Sequence, residues 1–138
     1  MSTDVNNALV RRWYDEFING HDVDVLDALL APDFVSHFLS GETGRSRDEL
    51  KQIDGAMYAA FPDLRVAVED MVVEGDRVAV RYSSQGTHGG NALGVPATGK
   101  AIAGTSMDIF RIADGKIAER WAELDFTGLL RQIGALPG

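Results

Sequence analysis

The sequence has no cysteine among its 138 residues. Disulfides, thiolate nucleophiles and cysteine-ligated metals are excluded with it. Positive charge is also scarce: 13 lysines and arginines stand against 21 acids, for a formal net charge of −8. A surface of that sign disfavours nucleic acid and anionic membranes, both of which select basic proteins. No apolar run approaches the roughly 20 residues of a membrane span. The opening MSTDVNNALVRRW lacks an uninterrupted apolar stretch and carries Arg11 and Arg12 inside its periodic pattern. The expectation is therefore no signal peptide and a cytoplasmic protein. The three histidines, His21, His37 and His88, lie far apart and share no ligand spacing, so no metal site is expected. A G-x-S-x-G elbow, a dinucleotide fingerprint and a phosphate loop are missing as well, which points to chemistry without a cofactor. GVPATGK ends in Gly-Lys but has the wrong spacing for a phosphate loop and reads as a turn.

What is present suits one soluble domain over 1–138, with 45% hydrophobic and 25% charged residues. Val5, Leu9, Trp13 and Phe17 recur every four residues, with Val10, Tyr14 and Ile18 beside them, a helical stripe that stops at Asn19-Gly20. Asp22 can cap a second, shorter helix bearing Val25, Leu26, Leu29 and Leu30, ended by Ala31-Pro32. FVSHF reads as a short strand, followed by a polar loop through Gly41 and Gly44. Ser46 and Glu49 form a capping-box pattern at the start of a third helix, which ends at Phe61-Pro62-Asp63. From LRVAVEDMVVEG onward the period is two. One hairpin turns at Gly75-Asp76 and a second at Asp114-Gly115, before Leu129, Leu130 and Ile133 mark a closing helix. Three helices followed by an antiparallel meander predict an α+β fold, with helices on one face of a sheet. A strongly curved sheet of this kind would enclose a pocket.

Two acids stand out. Period two puts Glu119, Trp121, Glu123 and Asp125 on one face of the last strand, and Arg120, Ala122, Leu124 and Phe126 on the other. A carboxylate held against Trp121 and Phe126 would lose hydration and become a general acid/base near neutral pH. Asp125 could equally cap the helix that follows it. Asp108 shares a strand face with Phe110 and Ile112, where an acid is uncommon. If it faced Asp125 the two would titrate together. His88 in GTHGG sits where glycines let backbone approach a ligand, or is a solvated loop residue. His37 follows an apolar run and can be a satisfied core imidazole, and His21 at a helix boundary a cap.

The order FPDL, GD-x-V-x-V-R, GTHGG with GVPATGK, D-I-F-R-x-x-D-G-K-I-x-E-x-W-x-x-x-D and GLLRQIG resembles the SnoaL-like polyketide cyclases of the NTF2-like superfamily. The resemblance implies an NTF2-like cone, three N-terminal helices on a curved antiparallel sheet around an apolar pocket. It implies a cofactor-independent intramolecular aldol condensation closing a ring on an aromatic polyketide ester. Asp125 falls on the family's acid/base position, and His88 is assigned as a hydrogen-bond donor to a substrate oxygen. Asp108, Trp121, His37, Trp13 and Phe110 are assigned to the substrate pocket. Alternatives are a hydroxylase or hydrolase using an Asp108/Asp125 pair, or a non-catalytic small-molecule binding protein. Relatives with an Asp-Arg-Asp epoxide hydrolase site carry an arginine where Ser106 stands here. A homo-oligomer, dimer or tetramer, is expected on the outer sheet face, through Ala122, Leu124, Met107 and Ile109.

Overall fold

Residues 3–37, 44–90 and 96–134 are described by the computed structural model, with the side chains of residues 3, 54–56 and 126 outside that description. Helix α1 (Thr3–Arg12) runs on without a break into a π-helical segment, Trp13–Ile18. Val10, Trp13, Tyr14 and Phe17 of the expected stripe are buried, while Val5 at its open end stays half exposed. A 3-10 turn capped by Asp22, whose side chain accepts from the Asp24 and Val25 N–H groups, leads into the short α2 (Leu26–Leu29). Strand β1 follows at once (Leu30–His37), taking in Ala31 and Pro32. The loop through Gly41 lies outside the described residues. After β2 (Arg45–Ser46), helix α3 (Arg47–Ala60) opens on the expected Ser46–Glu49 capping box. The meander is β3 (Arg65–Glu74), β4 (Arg77–Thr87), β5 (Ala101–Ala113) and β6 (Lys116–Leu124), and α4 (Phe126–Gln132) closes the chain.

The six strands form one sheet in the order β2-β1-β6-β5-β4-β3. It is mixed rather than purely antiparallel, because β1 runs parallel to β6. No local signal marks such a pairing, which joins residues more than 80 positions apart. Between Leu30 and Val35 the β1–β6 register shifts, at the place where Pro32 has no N–H to donate. Both hairpin turns use the expected residues. Gly75 has φ +59°, and Asp114 and Gly115 have φ +52° and +74°, the left-handed pair that a tight two-residue turn requires. The core lies between the sheet and α1, α2 and the π segment, with Trp13, Phe17, Leu26, Leu29, Phe34, Val78, Phe110 and Ile117 among its members.

One irregularity corrects the reading of β6. A two-residue turn pairs Ala113 with Lys116 and Ile112 with Ile117; then a bulge shifts the register, so that Arg111 faces Glu119 and Asp108 faces Ala122. An extra residue in one strand exchanges its two faces from there on. Ile117 and Ala118 are both buried in succession, and beyond them Arg120 and Ala122 point inward. Ala122 and Leu124 therefore do not belong to the outer face, whereas Met107 and Ile109 do, at 58% and 42% exposure.

Trp121 and His37 lie on that outer face. Their rings stack at 5.5 Å, and the Arg77 guanidinium stands 4.9 Å from the Trp121 centroid. Glu119 bonds to His37 Nε2 at 2.7 Å and accepts from Arg111 Nε at 3.1 Å. These bonds, His37 first, hold the Glu119 carboxyl below the usual carboxylate range. A depressed folded value contributes stability above the unfolded value of about 4.3, lost as pH falls through the folded one. Glu119→Gln is expected to lower Tm modestly at pH 7, with the gap to wild type closing as pH drops below about 4. A Tm gap equally wide at pH 7 and pH 3 would contradict this reading of the cluster.

Candidate active site

The π segment shapes the inner wall of the site. In an α-helix successive side chains diverge by about 100°. Here Asn19 N–H reaches back to the Tyr14 carbonyl at 2.9 Å, an i→i+5 bond that widens the turn. Trp13, Tyr14 and Phe17 are all buried, and Trp13, Tyr14 and Ile18 line one pocket. The segment is fixed at its end: the Asn19 side chain donates to the Val66 carbonyl at 2.9 Å and accepts from the Val66 N–H at 2.7 Å. Tyr58 donates its hydroxyl to the Phe17 carbonyl at 2.7 Å. Trp13 packs edge-on against Phe17 and Phe110, with centroids 4.8 and 5.4 Å apart.

The pocket lies between this wall, α3, the inner face of the sheet and α4. Its lining is mostly apolar, with Leu50, Ile53, Met57, Phe61, Leu64 and Ile102 from the helix side and the rim. Its deep end is polar. Arg120, which comes from the inward face of β6, donates from Nη2 to Asp108 Oδ1 at 3.0 Å and from Nη1 to Ser36 Oγ at 3.3 Å. Tyr14 donates to Asp108 Oδ2 at 2.6 Å. Burial raises the Asp108 carboxyl, and Arg120 and Tyr14 oppose that shift. Burial, then the charge of Asp108, pushes the Tyr14 hydroxyl far above its ordinary value, so it stays a donor. Tyr82 is pushed up to about 12, again by burial first. Sequence reasoning missed Arg120 and Tyr14 as a pair. The available signal was the acid at Asp108, because an acid on a buried strand face requires a cation nearby.

Asp125 lies at the mouth, just beyond the end of β6, with Leu124 and Leu129 beside it in the lining. At Asp125 φ and ψ are −79° and 71°, so the chain has left the strand and the alternation does not carry through to it. That is why Asp125 lines the pocket while Trp121 faces away. The expectation that Trp121 dries this carboxylate fails for the same reason; Asp125 is exposed, and the Phe126 side chain lies outside the described residues. Asp125 is also the cap it could have been: Oδ1 accepts the Gly128 N–H at 2.9 Å. Helix α4 is held over the mouth by Gln132, whose amide accepts from Ala103 N–H and donates to the Ala103 carbonyl, both at 2.8 Å.

The remaining expected residues divide as follows. Trp13 lines the pocket; Phe110 is fully buried behind it and does not. Asp108 does not line the pocket and takes its partners from Tyr14 and Arg120 rather than from Asp125. His37 and Trp121 are on the opposite face of the sheet. His88 is fully buried but outside the lining, 5.5 Å from the Phe61 ring, with Nδ1 bonded to Thr98 Oγ1 at 2.9 Å. Gly89 and Gly90 donate to the Ala60 carbonyl and draw this segment against the end of α3, where His88 packs against Phe61, a residue of the pocket lining. Among the described residues no group of three or more His, Asp and Glu could hold a metal ion, and no helix is long and apolar enough to cross a membrane.

Residues 8–133 match the family model of the SnoaL-like polyketide cyclases. The chain is 28% identical over 138 residues to the aklanonic acid methyl ester cyclase DnrD of Streptomyces peucetius, covering 97% of this chain and 92% of that protein. It is 31% identical over 134 residues to the aklanonic acid methyl ester cyclase DauD of Streptomyces sp. (strain C5), covering 91% and 80%. Among solved structures, TsrD from Streptomyces laurentii superposes with a TM-score of 0.86 at 30% identity, covering 99% of each chain.

Removing the acid of the buried pair takes the counter-ion from a cation in the core. Asp108→Ala is expected to cost about 3–5 kcal/mol of unfolding free energy, because Arg120 is left buried without its counter-ion. Urea unfolding measures it. An unchanged midpoint would show that Arg120 does not depend on Asp108.

Proposed function

The chain belongs to the SnoaL-like polyketide cyclase family, and we propose that it closes a ring on an aromatic polyketide methyl ester by intramolecular aldol condensation, with Asp125 as the acid/base. The observation that carries this reading is a carboxylate fixed by its own helix at the mouth of a mostly apolar pocket. An aldol closure is an isomerisation. One proton leaves a carbon flanked by carbonyl groups, a carbon–carbon bond forms to a second carbonyl, and the resulting alkoxide takes a proton back. Asp125 would accept the first proton and return it to the oxygen, so one residue serves both steps. A conjugated ring system spreads the charge of the carbanion. Substrate seated over Asp125 replaces the water around it with apolar walls, which strengthens its interaction with the acidic C–H. The polar deep end, fixed by Asp108, Arg120 and Tyr14, supports this reading as a rigid floor against which the rings stop. A working pair of Asp108 and Asp125 is disfavoured, since both Asp108 oxygens are already engaged.

The protein is further proposed to be a homodimer, its second copy covering the outer sheet face. Val72, Ala79, Ile109 and Trp121 are successive partners across β3, β4, β5 and β6, which gives an apolar row spanning four strands. Val72 and Ile109 in that row are 64% and 42% exposed. A continuous apolar row of this kind favours burial against its own copy. Sedimentation at micromolar concentration is expected to give twice the chain mass of 14.9 kDa, and Ile109→Glu to give monomer. Wild-type protein sedimenting as monomer would refute the dimer.

Asp125→Asn tests the chemistry. The amide retains the capping interaction, because asparagine caps a helix about as well as aspartate, but it cannot exchange protons. Turnover of an aromatic polyketide methyl ester is expected to fall by about 10²-fold or more, with Tm near that of wild type. Full activity in this variant would end the acid/base assignment.

A further inference from the structure

Gly128 is the third residue of α4, a position with no backbone need for glycine. Its φ lies outside the left-handed region where glycine is favoured. Helix propensity argues against glycine there, since alanine ordinarily stabilises a helix in its place. The reason for glycine lies in its surroundings. A methyl group built on Gly128 would fall inside the Asp125 carboxylate, 2.7 Å from Cγ and 2.9 Å from Oδ1. The same glycine's N–H holds Oδ1 at 2.9 Å. Carboxylate and glycine backbone are thus in direct contact, and the space a side chain would fill is taken by the group at the mouth of the pocket.

We infer that Gly128 is a positioning residue for Asp125: the missing side chain lets the carboxylate lie against the helix backbone, which fixes the oxygen that faces the substrate. This rests on the reading of Asp125 as the acid/base. A carboxylate free to rotate would spend most of its time misdirected, and small displacements of a reacting group are costly in rate. With alanine at 128 the Asp125 side chain is the part that gives way, because the other partner is helix backbone. Binding of the apolar rings, which depends on the walls from α3 and the sheet, is untouched.

A double cycle with Asp125→Ala tests this. In the wild-type background, Gly128→Ala is expected to lower kcat by about tenfold to a hundredfold, to leave KM for an aromatic polyketide methyl ester close to its original value, and not to raise Tm. In the Asp125→Ala background there is no carboxylate to displace. There, Gly128→Ala is expected to raise Tm, as alanine in a helix ordinarily does, and to leave the residual rate unchanged. Wild-type kcat in Gly128→Ala would overturn the inference. So would an equal loss in both backgrounds, the mark of a structural role. The Tm comparison needs no turnover and decides the steric claim even if the single variant folds poorly. Full activity in Asp125→Ala would instead defeat the acid/base reading, an outcome distinct from the other two.

Discussion

One extra residue in β6 decides which side chains of that strand see the pocket. The tight turn at Asp114-Gly115 sets one register, and the bulge near Ala118 changes it, so that Arg120, Ala122 and Leu124 point inward. The polar floor depends on that shift. Without it Arg120 would face solvent and Asp108 would lie opposite Trp121, an acid buried in the core with no cation to balance it. With it, the guanidinium reaches Asp108 and Ser36 and lies 5.0 Å from the Trp13 ring centroid, and Tyr14 closes the network from the helix side. Burying an ion pair is costly unless its hydrogen bonds are well formed. These bonds tie β1, β5, β6 and the π segment to one another.

Much of the fold is legible in the sequence because its signals are local. Ser46 with Glu49, Gly75-Asp76 and Asp114-Gly115 each dictate a cap or a turn through the chemistry of a few adjacent residues. Alternation along β5 places Asp108, Phe110 and Ile112 inward, as observed. What is not legible is relational. The parallel pairing of β1 with β6 joins distant segments with no turn between them. The bulge is a one-residue event, and alternation taken straight through it puts Trp121 on the wrong side. His37 errs with it, being the register partner of Trp121.

The site itself was partly legible, for the same reason. Asp125 admits two readings from sequence, cap and acid/base, and the structure shows that they do not exclude each other. Oδ1 is occupied as the cap while the residue lines the pocket mouth. Capping orients the group, and so is compatible with the proposed acid/base role rather than in competition with it. His88 illustrates the opposite case. Its glycines do permit close approach, but the approach is to the end of α3 and not to a ligand. The π segment leaves no mark in the sequence beyond an apolar stripe two residues wide, and Trp13 and Tyr14 on it line the same pocket wall.

The central claim is that Asp125 removes a proton from carbon. Deuterium wash-in measures that step apart from ring closure. An aromatic β-keto ester lacking the acceptor carbonyl, incubated with the protein in D₂O, cannot cyclise but still presents the acidic C–H. Wild-type protein is expected to exchange that position well above the buffer rate, and Asp125→Asn only at the buffer rate. Exchange at the buffer rate with wild type, or equal exchange by the two proteins, would contradict the claim.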